Sequence, residues 1–183
     1  DSKRSMENNA TEKLVRLALT STDQRIAKKM PVTPAFIYAA ILWYPFVDEK
    51  QRLEQEGEIT YAAAHEAANN VISKQQLFTS IPKRFSGPMR DIWFLQSRLP
   101  SRFGQKPDRT MEHKRFRAAY DFLLLREQAG EKTEQLGEWW TEYQEATEER
   151  KLAMKQSSSN SRQRKRKRKP RPKARPSDQT SLN

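Results

Sequence analysis

The sequence predicts an all-α fold, in which a compact multi-helix body is followed by a disordered, Arg/Lys-rich C-terminal tail. Apolar residues recur at helical spacing along the first 156 residues, and no segment alternates apolar and polar residues as a half-buried strand does. Glycine is scarce, at five residues, and most of the ten prolines lie at predicted helix edges or in the tail. Residues 1–156 suffice for one domain with a hydrophobic core. We therefore assign residues 1–156 to the helical body and residues 157–183 to the tail.

Two helices are predicted before residue 30. Leu14, Leu17 and Ala18 share one face of a helix, and this spacing indicates the first of them. Residues 22–23 are Thr and Asp, which are good N-cap residues. A short second helix is therefore expected to follow them and to end near Lys28.

A central, enclosed helix is predicted next. Thr33 followed by Pro34 is typical of an N-cap with proline in the first turn. The residues that follow are apolar nearly all round the helix axis, which favours burial on every side. Pro45 should kink or end this helix, and a polar continuation should stop at Gly57.

Two helices followed by a loop are predicted between residues 60 and 107. Thr60 is expected to cap the first helix, whose face of small residues allows close packing. Residues 86–88, Ser-Gly-Pro, are expected to open the next helix, which runs to Leu99. Residues 100–107 contain two prolines and a glycine and should form a basic loop.

Two further helices are predicted after this loop. Asp108 or Thr110 is expected to start a helix over residues 111–128, and Gly130 should end it. Residues 133–143 should form another helix, with Thr133 as its cap. The core is expected to contain the following large side chains: Phe36, Ile41, Trp43, Trp93, Phe116, Tyr120 and Leu124.

The sequence lacks the motifs of common active sites. Cysteine is absent, which excludes disulfides and Cys-ligated metals. Of the two histidines, His65 is interpreted as a helix-surface side chain and His113 as a surface or helix-start residue. There is no Gly-rich phosphate loop, Asp-x-Asp pair or Gly-x-Ser-x-Gly motif. Asp48 and Glu49 are adjacent, so on a helix they diverge by about 100° and do not form a two-metal clamp. No catalytic residue and no metal ligand is therefore predicted in this chain.

No segment predicts a membrane span. The longest uncharged run, residues 30–47, is interrupted by Pro31, Pro34 and Pro45. The stretch between the last two prolines is far shorter than the roughly 20 apolar residues that cross a bilayer. No secretory signal is recognisable, and the absence of cysteine fits a reducing compartment, so a cytoplasmic location is expected.

The tail carries most of the net charge. Residues 157–183 contain ten Lys or Arg residues and a single acid, Asp178, and thereby hold +9 of the net charge of +12. Because no large apolar residue precedes Leu182, the tail cannot bury enough surface to offset its ordering entropy. Its expected partner is a polyanion. The tail cations expected to contact nucleic acid are Arg162, Arg164, Lys165, Arg166, Lys167, Arg168 and Lys169.

The body carries further cations near its predicted helix starts and loops. Lys and Arg side chains supply sequence-independent affinity for phosphates, which falls as salt rises. The alternative for each cluster is a solvated helix face, since acids in the same helices partly cancel the charge. The body cations proposed to follow a nucleic-acid backbone are Lys83, Arg84, Arg90, Arg98, Arg102, Lys106, Lys114, Arg115 and Arg117.

One aromatic residue lies among these cations. On a helical wheel, Phe94 falls between Arg90 and Arg98, opposite the apolar arc of the same helix. An exposed ring in this position suits stacking on a base or contact with a neighbouring domain. The alternative is that Phe94 packs under a loop.

Several strings, in this order, resemble the C-terminal half of bacterial poly(A) polymerases. They span roughly residues 12–145, and the basic tail after them is also similar to that of the family. The strings are Pro31-Val32-Thr33-Pro34-Ala35-Phe36, Leu42-Trp43-Tyr44-Pro45, Ile81-Pro82-Lys83-Arg84, Arg90-Asp91-Ile92-Trp93, Leu95-Gln96, Glu112-His113-Lys114-Arg115-Phe116-Arg117-Ala118-Ala119-Tyr120-Asp121 and Trp139-Trp140.

The resemblance implies a nucleotidyltransferase that adds AMP from ATP to RNA 3′ ends without a template. In that family the catalytic carboxylates, which hold Mg²⁺, and the ATP site belong to a head domain, and a neck domain reads the base. Neither motif set matches this sequence, and the start at Asp1 fits a chain cut near the junction of neck and body. ATP and Mg²⁺ are therefore expected in the missing head domain, and this chain is expected to hold RNA and to be inactive alone.

Three alternatives stay open at this point. The first is the body of a CCA-adding tRNA nucleotidyltransferase, because the residues that choose the base lie upstream. The chain also suits a non-enzymatic RNA-binding adaptor that has borrowed the helical body. In a third interpretation the tail docks acidic proteins of RNA decay instead of single-stranded RNA 3′ ends.

Overall fold

The computed structural model describes residues 2–168, with side chains from residue 9 to residue 158, and confirms the all-α prediction. Within this part of the chain the regular elements are all α-helices. Their bounds are α1 Ser2–Ala27, α2 Pro34–Ile41, α3 Trp43–Gln55, α4 Thr60–Gln76, α5 Lys83–Arg98, α6 Lys106–Met111, α7 Phe116–Ala129, α8 Leu136–Glu145 and α9 Glu148–Arg168.

Two hydrophobic clusters hold the helices together. In the larger cluster, α2 packs against α1 and α5, α7 packs against α1 and α5, and α3 pairs with α4. Phe46 stacks on Trp93 with ring centroids 4.6 Å apart and joins the α3–α4 pair to α5. The smaller cluster lies where α7 meets α8 and the start of α9, around the buried side chains of Leu99, Trp140 and Met154. The Trp140 indole donates to the Leu99 carbonyl at 3.1 Å.

The two helices predicted before residue 30 form one helix, so the predicted break at residue 22 is wrong. The hydroxyl of Thr22 donates to the carbonyl of Ala18 at 2.9 Å, and that of Thr20 donates to Arg16 in the same way. These hydroxyls bond backward along the helix, which a threonine does inside a helix as readily as it caps one. The helix ends where Lys29 takes a positive φ of 56°.

The predicted cap of α2 and the predicted break before α3 are confirmed. The expected burial of α2 on every side is not, because Phe36 and Ile37 are half-buried and Ile41 is exposed. The Thr33 hydroxyl accepts from the Ala35 N–H at 3.3 Å, with Pro34 in the first turn. The chain breaks at Leu42, three residues before Pro45, and Pro45 lies in the first turn of α3. The reason is that a proline ring excludes the carbonyl four residues before it, here that of Ile41.

Two predicted helix starts are wrong. Ile59 takes the N-cap position of α4 without a side-chain bond, and the Thr60 hydroxyl instead bonds the Glu54 carboxylate. Helix α5 begins at Lys83 instead of at residues 86–88, because the Phe85 N–H already closes a turn on the Pro82 carbonyl at 2.9 Å. Pro88 therefore lies inside the helix.

The single helix predicted over residues 111–128 is split into α6 and α7. His113 makes the turn between them, since its Nδ1 accepts from the Arg115 N–H at 3.1 Å. The predicted stop is confirmed, because Gly130 caps α7 with φ of 108°, a left-handed conformation that glycine tolerates best.

Helix α8 is capped from another helix. Thr133 was predicted to be its cap, but the helix begins at Leu136, and the Glu127 carboxylate of α7 accepts from the Gly137 N–H at 2.8 Å and from the Thr133 hydroxyl. A Cβ at Gly137 would lie 2.8 Å from the Leu124 side chain and closer still to Glu127. A larger residue at position 137 would therefore have to displace the Leu124 and Glu127 side chains, and the Glu127 carboxylate is stabilised by the positive end of the α8 dipole.

Most of the predicted core is buried. Trp43, Trp93, Phe116 and Tyr120 are each less than 9% exposed, whereas Phe36 and Leu124 are half-buried at the edges of the clusters. Ile41 is 38% exposed and does not belong to the core. The break that follows it turns its side chain outward.

Helix α9 extends further than the sequence predicts. The boundary expected at residue 157 falls inside the helix, which continues to Arg168. Gln, Lys and Arg are good helix formers, which favours a helix over these residues. Residues 169–183 lie outside the described part of the chain.

A buried polar network centred on Arg126 joins α3, α5 and α7. Its guanidinium donates to Gln96 at 2.9 Å and to the Glu131 carboxylate at 2.7 Å and 2.9 Å. Glu131 also accepts from the indole of Trp43 at 2.9 Å, and the guanidinium lies 4.5 Å from the Trp43 ring. Burial and the Glu131 carboxylate raise the pKa of Tyr44 to about 12.

Replacing Arg126 by alanine should destabilise the domain by about 2 kcal/mol, because it removes three hydrogen bonds to the half-buried Glu131 carboxylate and the buried Gln96 amide. Urea unfolding followed by tryptophan fluorescence measures this. Arg109→Ala is the matched control, since Arg109 is exposed and bonds only Gln105, one helical turn away. If the free energy of unfolding falls no further for Arg126→Ala than for this control, the central role of the network is contradicted.

Candidate nucleic-acid interface

A groove runs between α1 and α7 and is made of two adjoining cavities. Their volumes are about 180 Å³ and 370 Å³, and both are bordered by Ser21, Arg25, Arg117 and Asp121. The smaller cavity has an apolar floor that includes Phe36, and hydroxyls of α1 and of the α2 cap lie around it. We call this the α1–α7 groove.

The charges that line the groove are mainly positive. Arg25, Lys28, Lys114 and Arg117 contribute four cations, and Asp121 is the single acid among the lining side chains. Asp121 lies between two of them, 3.2 Å from Arg117 and 3.4 Å from Arg25. The groove therefore presents a net positive charge to a ligand.

Burial controls the protonation of the acid at the centre of this groove. Burial raises the pKa of Asp121, and the guanidinium groups of Arg117 and Arg25 oppose this effect without cancelling it. The ionised carboxylate is thus less favourable in the folded protein than in water. Its contacts hold the two guanidinium groups on the groove wall.

The turn between α1 and α2 places Arg25. Its Nε donates to the Pro31 carbonyl at 3.3 Å, and the positive φ of Lys29 reverses the chain just beyond α1. Outside the groove, at the start of α7, the Nε of Arg115 faces the Asp91 carboxylate of α5 at 4.0 Å. Lys114 and Arg117, the neighbours of Arg115, are exposed at the groove.

The structure brings two of the proposed body cations, Lys114 and Arg117, into this groove. Arg115 serves the contact between α5 and α7, and its Nε is buried without a hydrogen-bond partner. Lys83 and Arg84 lie exposed in the first turn of α5, where Arg84 covers the Phe85 ring at 4.8 Å.

The remaining body cations lie on other surfaces. Arg102 is half-buried in the loop after α5, and the Lys106 ammonium lies 4.6 Å from the Phe103 ring. Arg90 and Arg98 flank Phe94 along one face of α5, as the helical wheel predicts. Phe94 does not pack under a loop, because its ring lies against the core and against His65 of α4, with centroids 4.3 Å apart.

Sequence reasoning missed Arg25 and Lys28. Both lie near the end of α1, where charged residues are typical of an ordinary solvent-exposed surface. The residues that complete the groove with them lie some ninety positions further along the chain. The signal that was available is the Lys28–Lys29 pair, which precedes the proline that starts the turn into α2. Only the packing of α1 on α7 shows that these cations converge with Lys114 and Arg117.

Helix α9 begins on the body and carries the basic segment away from it. Met154 is buried, and the Lys155 ammonium lies 2.8 Å from Asp108 of α6. Burial by itself raises the pKa of Asp108, but the Lys155 ammonium and the Tyr143 hydroxyl lower it by more, so the net shift is downward. The cations proposed from Arg162 to Arg168 lie in the part of α9 where the structure describes the backbone but not the side chains. Lys169 lies outside the described residues.

Neither a metal-ligand group nor a membrane-spanning helix is found among the described residues. Across residues 2–168 there is no group of three or more His, Asp or Glu side chains that could hold a metal. In the same range, no helix combines the length and the apolar character that crossing a membrane requires.

The fold and the groove define a class of protein: a helical domain with a cationic surface that continues into a basic C-terminal helix. The family model described as "Polymerase A arginine-rich C-terminus" matches residues 56–174. The chain belongs to this family.

Curated relatives agree with this assignment. The chain is similar to Poly(A) polymerase I of Haemophilus influenzae, with 42% identity over 140 residues, which are 75% of this chain and 31% of that protein. The corresponding protein of Salmonella typhi is 41% identical over 75% of this chain and 30% of its own length. That of Escherichia coli O157:H7 is 40% identical over 73% of this chain and 29% of its own length. The chain thus spans about 30% of the length of these relatives.

Asp108→Asn should loosen α9 from the body, because it weakens the bond to Lys155. Since the folded pKa of Asp108 is lowered, its contribution is complete above the unfolded value of about 3.9 and is lost as the pH falls through the folded value. We expect amide exchange over residues 148–156 to accelerate about fivefold at pH 7, which corresponds to about 1 kcal/mol for this partly exposed pair. Hydrogen–deuterium exchange of both proteins measures this, with α4 as the internal control. Unchanged α9 exchange contradicts the anchoring role.

Asp121→Asn should show the opposite dependence on pH. Because the folded pKa of Asp121 is raised, wild-type stability is greatest below the unfolded value of about 3.9 and falls as the pH rises through the folded value. The asparagine variant lacks this loss, so its stability relative to wild type should increase between pH 3.5 and pH 7. Urea unfolding at both pH values tests this. A relative stability that decreases over the interval shows that the arginine contacts outweigh burial.

Proposed function

We propose that this chain is the RNA-binding C-terminal region of a bacterial poly(A) polymerase, a cytoplasmic enzyme that adds AMP from ATP to RNA 3′ ends. The cationic α1–α7 groove carries the proposal, together with membership of the arginine-rich C-terminal family. The relatives that match are named Poly(A) polymerase I, which favours this activity over CCA addition to tRNA.

The groove would hold the sugar-phosphate backbone of a single-stranded RNA. Arg25 and Arg117 offer planar guanidinium groups, which suit two phosphate oxygens at once, and Lys28 and Lys114 act as point charges at the two ends. Such contacts position a strand without selecting its sequence. That property fits an enzyme that must accept the 3′ ends of many RNAs.

The basic C-terminal segment would add a long-range attraction. Ten cations in residues 157–183 raise the local concentration of RNA and retain a strand between additions. Because α9 is anchored through Met154 and Lys155, the segment leaves the body at a fixed place. In this proposal the groove positions the strand and the segment captures it.

ATP and Mg²⁺ are assigned by the proposal to residues outside this chain. The described side chains do not assemble a metal site, and the acids of the groove and of α6 are occupied by arginine and lysine partners. We therefore derive no step of nucleotide transfer from these residues. Their part is to bind and orient RNA.

Deleting residues 157–183 should weaken RNA binding strongly at low salt and little at high salt. For single strands, the slope of log K against log salt is roughly −0.7 per neutralised phosphate, so the truncated protein should show a shallower slope. Fluorescence anisotropy of a labelled single-stranded RNA across a salt series measures both slopes. An equal loss at low and high salt contradicts an electrostatic role.

The double variant Lys28→Ala/Lys114→Ala in the full chain tests the groove in the same assay. It should lower affinity by about tenfold at low salt and make the slope shallower by about 1.4, which corresponds to two phosphates. Lys132→Ala/Lys13→Ala is the matched control, because both lysines are exposed and neither lines the groove. If both double variants bind alike, the groove does not contact RNA.

A further inference from the structure

Three aromatic rings form a ladder across the seam between α4 and α5. The Tyr61 and His65 rings have centroids 4.4 Å apart at 49°, and the His65 and Phe94 rings have centroids 4.3 Å apart at 37°. Phe94 packs on the hydrophobic core, His65 is half-buried, and Tyr61 is 73% exposed. The ladder thus leads from the core to solvent and ends in an open ring, and we call it the aromatic ladder.

Two arginines of α5 lie along the same seam. Arg90 and Arg98 lie one helical turn before and after Phe94, which separates them by about 12 Å of helix rise. Arg90 donates to Asn69 of α4 at 2.5 Å, and its other guanidinium donors stay available. Among the described side chains neither arginine pairs with an acid. The seam therefore combines an exposed aromatic end with two uncompensated positive charges.

The outer ring of the ladder contributes little to the fold. Most of the Tyr61 surface is open to solvent, and its ring makes one ring contact, with His65. A stabilising tyrosine usually buries its ring and exposes only its hydroxyl. A face-exposed ring beside arginines is instead the arrangement on which the bases of single strands stack.

We propose that the aromatic ladder is a stacking platform for an unpaired base of single-stranded RNA. The base continues the ladder on the open face of Tyr61, and Arg90 and Arg98 neutralise the phosphates on either side. This inference rests on the proposed function, since RNA is its ligand. Because stacking and not hydrogen bonding holds the base, the platform accepts any base.

The ladder also explains the place of His65. The imidazole lies between the rings of Tyr61 and Phe94, where it links the two and keeps the tyrosine ring oriented. A base on Tyr61 therefore meets a pre-ordered surface and loses less freedom on binding.

The test compares an oligoadenylate with an abasic oligonucleotide of the same length, which keeps the phosphates and lacks the bases. In the full chain, Tyr61→Ala should weaken binding of the oligoadenylate by about tenfold and leave the abasic strand and the salt slope unchanged. Tyr61→Phe keeps the ring and should restore affinity. Phe78→Ala is the matched control, because Phe78 is an exposed aromatic about 25 Å of helix rise away, just past the other end of α4.

Ring resonances of His65 give a second readout. They should shift when the oligoadenylate is added to the wild type and should shift less in Tyr61→Ala, and His113→Gln identifies the signals of the two histidines. If the wild type binds the oligoadenylate and Tyr61→Ala binds it equally well, the platform is overturned. An equal loss for both strands also overturns it, since the effect is then not stacking. If the wild type binds neither strand, the proposed function fails as well.

Discussion

The rest of the structure depends on the contacts of the Arg126 guanidinium. This group bonds Gln96 and Glu131 and lies over the ring of Trp43. A buried charge is costly unless it is paired and fully hydrogen-bonded. Here one arginine satisfies an amide on α5 and a carboxylate beyond α7, and that carboxylate in turn holds the indole at the start of α3. These hydrogen bonds tie three helices together and favour one register among them, which apolar packing alone leaves less specific.

Fixing α5, α7 and α3 has consequences for the surface. Helix α7 presents one face to the core and another to α1, so its position decides how close Arg117 and Asp121 come to Arg25. The contact between Arg115 and Asp91 secures the same helix at its start. On the far side of α5, the packing of α4 brings His65 to Phe94. The α1–α7 groove and the aromatic ladder are thus two surfaces of one rigid set of helices, and both present cations beside groups suited to a polynucleotide.

The sequence predicted residues that carry strong local signals and missed those that depend on partners. The cap at Thr33, the break before Pro45 and the stop at Gly130 follow from backbone chemistry that acts within a few residues. Thr22, Thr60 and Thr133 carry the same side chain as a true cap, but their hydroxyls bond elsewhere, two of them to carboxylates of other segments. A cap pattern read from sequence cannot distinguish these cases, because the competing acceptor lies outside the local window.

The sequence by itself determined the all-α class, the division of charge between the body and the basic C-terminal segment, the identity of most core residues and the family. Each of these depends on composition, on helical periodicity or on strings of adjacent residues, which are properties of the chain read in order. Only the tertiary structure decided which cations converge. It placed Arg25 and Arg117 on the same carboxylate, directed Arg115 toward Asp91, and packed His65 between the rings of Tyr61 and Phe94. The physical reason is that a binding surface is made where helices distant in sequence pack, and that packing is set by buried contacts such as those of Arg126, which carry no local signature.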